Sequence, residues 1–121
     1  NLFGKESTYV LGGSKSTGYN PVDFAKLMEE KGAGELVINS IDKDGTMEGY
    51  DLNLIKKVSE AVTIPVIACG GAGTYAHLAE GIKNSFASAV AAGSLFIYHG
   101  PRKAVLINYP SKDDLQKIFS N

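Results

Sequence analysis

The chain has 121 residues, with 12 Lys and Arg against 13 Asp and Glu. This length fits one domain with a substantial core, and the balanced charge gives no reason to expect nucleic acid or an acidic membrane surface as a partner. No apolar run approaches the roughly 18 residues of a membrane span, and the single cysteine, Cys69, favours a reducing compartment. We therefore expect a cytoplasmic protein. Since residue 1 is Asn and not Met, we also expect that the numbered chain was cut from a longer one.

The first third of the chain predicts a turn-rich segment, a helix and a strand. Residues 1–19 are rich in turn formers and predict a loop or hairpin with a short strand at 8–11. Asn20 and Pro21 have the pattern of an N-cap and a first helical residue, and Gly32 marks the end of that helix. The strand at 35–40 is wholly aliphatic at its centre, which predicts burial on both faces.

Strands and helices keep alternating along the rest of the chain. The predicted elements are a helix capped by Asp51, a strand at 63–69, a helix capped by Thr74, a strand at 86–92 and a closing helix that begins with Ser111 and Asp114 as a capping box. Strands that begin near 36, 64 and 86 with helices between them indicate parallel β/α units. The predicted fold class is therefore α/β, with parallel strands and helices on the outer face.

An acidic turn comes directly after the strand at 35–40. Asp42 and Asp44 precede Gly45, and in an extended backbone both carboxylates would project to the same side, whereas a turn would separate them. The carboxyl ends of parallel strands are where β/α proteins keep their chemistry, but Asp-x-Asp-Gly also fits an ordinary polar turn. The residues alone leave both interpretations of this turn open.

Two glycine-bearing turns come after the next two strands. They are Gly70-Gly71-Ala72-Gly73 and Ala91-Ala92-Gly93-Ser94. Such turns let the backbone approach a ligand closely, and the first leads into the positive end of a helix. One glycine run alone more often indicates tight packing. Two in tandem after consecutive strands favour a phosphate site that includes Gly70, Gly71, Gly93 and Ser94.

The remaining reactive and aromatic residues suggest no second site. Cys69 is expected to be a small, partly buried thiol, because no candidate base stands near it in sequence. The two histidines are too few for a metal site, so His77 is interpreted as a helix-surface residue and His99 as a turn residue. Tyr50 could rim a pocket, but an amphipathic edge is the simpler interpretation. We predict no metal and no cofactor.

Four longer segments carry a family resemblance. They are Gly32-Ala33-Gly34-Glu35, Ser40-Ile41-Asp42-Lys43-Asp44-Gly45-Thr46, Gly49-Tyr50-Asp51 and Ile67-Ala68-Cys69-Gly70-Gly71-Ala72-Gly73. Together they resemble the carboxyl-terminal half of the cyclase subunit of imidazole glycerol phosphate synthase, from about Gly12 to the end of the chain. Residues 1–5 and 102–110 are more similar to a second branch, cyclase paralogues found with surface-polysaccharide amidotransferases.

The resemblance implies half of a (β/α)8 TIM barrel. It implies that residues 1–121 form a single half-barrel domain, with loop and hairpin at 1–19 and β/α units with a closing helix at 20–121. A complete barrel of this family, a lyase of histidine biosynthesis, takes ammonia from a glutaminase and closes an imidazole ring on a bis-phosphorylated substrate. The residues that match family positions are Asp44 for a catalytic acid after the sixth strand, Gly45, Gly71, Gly93 and Ser94 for the phosphate site, and Glu35 for a charged residue that gates ammonia entry.

The residues that are absent limit what this chain can do alone. The family's two principal aspartates end the first and fifth strands, and neither strand lies in these residues. We therefore expect no cyclase activity until a second copy or the other half barrel completes the barrel. The alternatives are a non-catalytic phosphate-binding or assembly module, and a paralogue that acts in ammonia-dependent amidation of surface-polysaccharide sugars. Asn39 and Cys69 stand where the cyclase usually carries hydroxyls, which favours the paralogue or a relaxed function.

Overall fold

The computed structural model describes residues 6–120, so the resemblance noted at 1–5 lies outside the described residues. The elements are β1 (Tyr9–Val10), β2 (Lys15–Ser16), α1 (Pro21–Glu30), β3 (Leu36–Asn39), α2 (Leu52–Ser59), β4 (Val66–Cys69), α3 (Tyr75–Lys83), β5 (Ala89–Val90), α4 (Ser94–Ile97), β6 (Tyr98–His99), β7 (Ala104–Val105) and α5 (Lys112–Phe119). None of the helices in this range is both long and apolar enough to cross a membrane.

The central feature is a three-stranded parallel sheet in the order β3-β4-β5. Val37 is in register with Ile67, which is in register with Ala89. The prediction of parallel β/α units is therefore confirmed. Two antiparallel hairpins, β1 with β2 and β6 with β7, stand apart from this sheet.

The predicted helix starts are confirmed by side-chain caps. Asn20 Oδ1 accepts the Asp23 N–H at 2.9 Å, and Asp51 Oδ1 accepts the Leu54 N–H at 3.0 Å. The remaining two starts are Thr74, which caps α3, and Ser111, which forms a complete capping box with Asp114. These local signals set where each helix begins, and the helices then pack on one face of the sheet.

The two faces of the sheet differ in burial. On the helix side, Val66 and Ala68 are buried together with Ile55 and Val58 of α2. On the other side, Val37 is 58% exposed. The prediction that β3 is buried on both faces is wrong for the described chain, because no described residue covers the second face. That face is the side that points into the interior of a closed barrel.

The third strand and the segment after it also differ from the sequence prediction. β5 is short and begins at Ala89. The predicted start at residue 86 is excluded because Phe86 has a φ of +56°, which is not a strand conformation. Phe86 is 60% exposed, and the Lys56 ammonium lies 5.3 Å from its ring centroid. Helix α4 and the β6–β7 hairpin were not predicted. His99, interpreted from the sequence as a turn residue, lies in β6.

Glu29 ties the end of α1 to the entry of β4. One of its carboxylate oxygens accepts the Thr63 N–H at 2.7 Å, the Thr63 hydroxyl at 2.6 Å and the Ile64 N–H at 3.2 Å. The hydrogen bonds from the Thr63 side chain and backbone lower the pKa of Glu29. A carboxylate that accepts several donors is stabilised in its charged form.

This contact should make stability fall in acid. Because the folded pKa of Glu29 lies below its unfolded value, the contribution is complete above the unfolded pKa of about 4.3 and is lost as pH falls through the folded pKa. We expect the difference in unfolding free energy between the native chain and Glu29→Gln, measured in urea, to shrink as pH falls below this range. The exposed neighbour changed in Glu30→Gln serves as the control, and a pH-independent difference for Glu29→Gln would contradict the assignment.

Candidate functional site

A cleft of about 230 Å³ opens at the carboxyl ends of the three parallel strands. It is lined by Asn39, Asp44, Gly45, Met47, Cys69, Gly70, Gly71, Ala72, Ala92, Gly93 and Ser94. The candidate acid and all five candidate phosphate-binding residues therefore lie around one cavity. Carboxyl ends of parallel strands share one edge of a sheet, which is why residues far apart in sequence meet here.

Glu35 lies elsewhere. It is exposed and immediately precedes β3, whose far end, Asn39, lines the cleft. A strand of four residues spans about 13 Å, so Glu35 stands on the opposite end of the sheet. Its suggested part in ammonia entry stays a prediction.

The turn after β3 separates the two aspartates. The N–H groups of Lys43 and Asp44 both donate to the Ser40 carbonyl, at 3.2 and 2.9 Å, so the chain turns sharply instead of continuing as a strand. Asp42 is exposed and does not line the cleft. The Asp44 carboxylate does line it and accepts a long hydrogen bond of 3.4 Å from the Asn39 amide.

The first glycine turn packs tightly under the loop that connects β3 to α2. Gly71 has a φ of +104°, and a Cβ there would overlap the carbonyl of Gly49, whose own N–H donates to the Gly71 carbonyl at 2.8 Å. A Cβ at Gly73 would overlap the carbonyl of Met47. The packing interpretation therefore accounts for these two glycines, and Met47, which the sequence did not single out, enters the cleft wall through this contact.

Tight packing does not explain the glycine of the second turn. Gly93 has a φ of −112°, which any residue can adopt, and no atom lies within 4 Å of an added Cβ. Neither backbone strain nor packing requires glycine at this position. The missing side chain leaves open space in the wall of the cleft.

Several backbone N–H groups of the cleft wall have no protein acceptor. Gly71 and Ala72 are buried, and their N–H groups make no hydrogen bond with any of residues 6–120; the N–H of the exposed Gly93 has no acceptor in this range either. Buried N–H groups without a partner are rare in folded proteins. The positive end of the nine-residue helix α3 lies just beyond the first turn. Together these features suit an anion.

Few charged side chains line the cleft. Asp44 is the sole ionisable carboxylate in the lining, and no lysine or arginine of the described chain lines it. An anion would therefore be held by backbone N–H groups and the Ser94 hydroxyl. Cys69 is half-buried in the floor, as expected for a small thiol. Within residues 6–120 no cluster of three or more His, Cys, Asp or Glu side chains could hold a metal ion.

Tyr50 connects two segments next to the cleft. The sequence interpretation of Tyr50 as an amphipathic edge is wrong, because its side chain is buried in the core. Its hydroxyl donates to the Ala91 carbonyl at 2.8 Å, and burial raises the pKa of Tyr50. This contact joins the loop after β3 to the residue that follows β5, and so connects the second glycine turn to that loop.

Comparison with known proteins agrees with this geometry. A parallel β/α sheet with its cleft at the strand ends is the arrangement of β/α barrels and of open α/β sheets. Residues 3–101 match the family described as "Histidine biosynthesis protein". The chain belongs to that family, and the described residues form about half of a (β/α)8 barrel, as the sequence resemblance predicted.

Curated relatives are similar over nearly all of this chain. It is 48% identical over 111 residues to a putative imidazole glycerol phosphate synthase subunit HisF of Leptospira interrogans, covering 92% of this chain and 44% of that protein. It is 43% identical over 114 residues to the putative subunit hisF2 of Pseudomonas aeruginosa, covering 94% and 45%. It is 41% identical over 119 residues to the putative subunit hisF3 of Vibrio vulnificus, covering 98% and 46%. The chain thus spans less than half the length of these relatives.

Proposed function

We propose that the cleft binds a phosphate group of a small-molecule substrate. The observation that carries the proposal is that the buried residues Gly71 and Ala72, whose N–H groups have no partner among residues 6–120, line the same cavity as Gly93 and Ser94. A phosphate oxygen would supply the acceptors that the protein lacks there, and the positive end of α3 would favour its charge. Gly45, where an added Cβ would meet no atom within 4 Å, leaves further room for the ligand on the opposite wall.

We further propose that this chain is the carboxyl-terminal part of a cyclase of the imidazole glycerol phosphate synthase type, which acts on a bis-phosphorylated substrate. Closing an imidazole ring with ammonia requires protons to be moved at atoms held in place by the substrate's phosphates. Asp44 lies in the cleft beside the phosphate cradle and would move one such proton. A second acid and the second phosphate site would come from the rest of the barrel, while a glutaminase would supply ammonia at the end of the sheet that carries Glu35.

Completion of the barrel is suggested by the uncovered sheet face. Val37 and Ala89 are exposed on that face, and the outer edges of β3 and β5 pair with no strand of the described range. Open edges and apolar faces of this kind favour association. We propose that a second copy covers them when the other half barrel is absent.

We expect sedimentation at micromolar concentration to show a concentration-dependent dimer or larger assembly. Substituting Val37→Lys should weaken the assembly, because a charge on the interior face would have to be buried. Glu30→Lys changes the charge at an exposed position of helix α1, away from that face, and serves as the control. A stable monomer at all concentrations would contradict this part of the proposal.

The polysaccharide-pathway paralogue remains the second candidate. Asn39 and Cys69 support it, because they stand where the family resemblance implies hydroxyls in the cyclase and both line the cleft. In such a paralogue, the cleft would bind the phosphate group of a different substrate. A non-catalytic phosphate-binding module is favoured only by the presence of a single carboxylate in the lining.

Binding of inorganic phosphate to Gly93→Asp tests the proposal. The new carboxylate would enter open space in the cleft, and we expect a loss of phosphate affinity of about 10- to 100-fold, measured by isothermal titration, because two like charges roughly 6–10 Å apart repel by about 1.5–3 kcal/mol at an effective dielectric of about 20. Gly34→Asp is the matched control, since its added Cβ also meets nothing within 4 Å but lies before β3, away from the cleft. Equal affinity in both variants, or no phosphate binding by the native chain, would contradict the proposal.

A further inference from the structure

His77 occupies a position that the sequence did not reveal. It lies in the first turn of α3, where its N–H donates to the Thr74 hydroxyl at 3.3 Å. Its side chain is half-buried, and the ring nitrogen Nδ1 accepts the Gly73 N–H at 3.2 Å. The interpretation of His77 as a helix-surface residue is therefore wrong. Because Nδ1 is the acceptor, the proton of the neutral ring is assigned to Nε2.

The same ring lies beside the loop that carries Asp44. A Cβ added at Gly49 would lie 3.6 Å from His77 Cδ2 and 3.7 Å from Nε2, so the imidazole lies beside Gly49 at a distance that leaves room for one methyl group. Gly49 in turn donates its N–H to the Gly71 carbonyl. The ring thus lies between two layers of the cleft wall: it accepts a hydrogen bond from the turn at 70–73 and is adjacent to the loop at 44–49.

We propose that His77 is a positioning residue for the phosphate cradle, holding the 70–73 turn and the 44–49 loop in register. The proposal rests on the proposed function, because the cradle is the phosphate site of the cleft. His77 also uses one N–H group of the turn itself. It occupies the Gly73 N–H and leaves those of Gly71 and Ala72 without a partner among residues 6–120.

Two substitutions separate the ring from its acceptor. His77→Phe keeps an aromatic ring beside Gly49 but removes the acceptor for the Gly73 N–H. His77→Asn loses most of the ring, but its side-chain oxygen can stand where Nδ1 accepts. His99→Asn changes the other histidine of the chain, which is exposed in the β6–β7 hairpin, and is the control.

Amide hydrogen exchange tests the positioning directly, whether or not phosphate binds. In His77→Phe we expect exchange of the Gly73 N–H to accelerate by at least about tenfold, and in His77→Asn that of the Gly49 N–H. The core N–H of Ala68 should be unchanged in both variants, since it reports the opening of the sheet. Equal acceleration at Ala68, or unchanged exchange at both glycines, would overturn the proposal.

Titration with inorganic phosphate tests the consequence for the site. We expect about tenfold weaker binding by His77→Phe, partial recovery in His77→Asn and native affinity in His99→Asn. Unchanged or tighter binding by His77→Phe would overturn the claim, because it would mean that a released Gly73 N–H serves the anion as well as the native arrangement does. If the native chain binds no phosphate, the proposed function fails, while the exchange measurement still decides whether His77 holds the two loops together.

Discussion

Replacing Asp44 with asparagine is expected to lower ammonia-dependent turnover of the completed barrel by about 10²- to 10⁴-fold, the usual contribution of a positioned proton-transfer group. Asparagine has nearly the same shape and can keep the contact with Asn39, but its amide cannot take up or release a proton near neutral pH. The measurement is turnover with an ammonium salt as the nitrogen source, so that no glutaminase is required.

Two comparisons make the Asp44 experiment decisive. Asp42→Asn removes an equal charge two residues away, at an exposed position outside the cleft, and should leave turnover unchanged. Phosphate binding by Asp44→Asn should be retained or tighter, because a carboxylate in the cleft repels the anion. Native turnover in Asp44→Asn would show that Asp44 transfers no proton in the reaction. The absence of turnover in a completed native barrel would favour the non-catalytic module.

Replacing Gly71 with alanine is expected to destabilise the fold by about 2–4 kcal/mol, the sum of a strained backbone and a steric overlap. The φ of +104° disfavours any residue with a Cβ, and that Cβ would overlap the Gly49 carbonyl. The 44–49 loop would have to move away from the turn. Urea unfolding monitored by circular dichroism measures the change.

Gly93→Ala is the matched control for Gly71→Ala. Both glycines line the same cleft, but the φ of Gly93 suits alanine and nothing lies within 4 Å of the added methyl group. We expect its unfolding free energy to stay within about 0.5 kcal/mol of the native value, as for most changes that touch no packed feature. Equal destabilisation by the two substitutions would contradict the close approach of Gly71 to the Gly49 carbonyl.

The helix starts and the strand-end cluster could be predicted because their signals are local. Asn20 before Pro21, and Ser111 three residues before Asp114, satisfy N–H groups within one helical turn, so sequence spacing alone locates them. The cleft could be predicted for a related reason. Once the strands are parallel, the turns after them must share one edge of the sheet, which brings Asp44 and Gly93 together without any knowledge of side-chain contacts.

The features that could not be predicted depend on contacts between distant segments. Val37 is aliphatic like its neighbours, but no described residue packs against its side of the sheet. Phe86 adopts a left-handed conformation that no turn signal marks. Tyr50 and His77 gain their roles from partners brought close by loop packing, a backbone carbonyl in one case and a glycine backbone in the other.

Chemical-shift mapping of inorganic phosphate on the ¹⁵N-labelled chain tests the central claim most directly. We predict that the largest saturable shifts occur at the N–H groups of Gly71, Ala72 and Gly93, with smaller shifts at the loop that carries Asp44. Saturable shifts confined to other surfaces, such as the exposed pair Lys56 and Lys57 on α2, or no saturable shift at all, would contradict it.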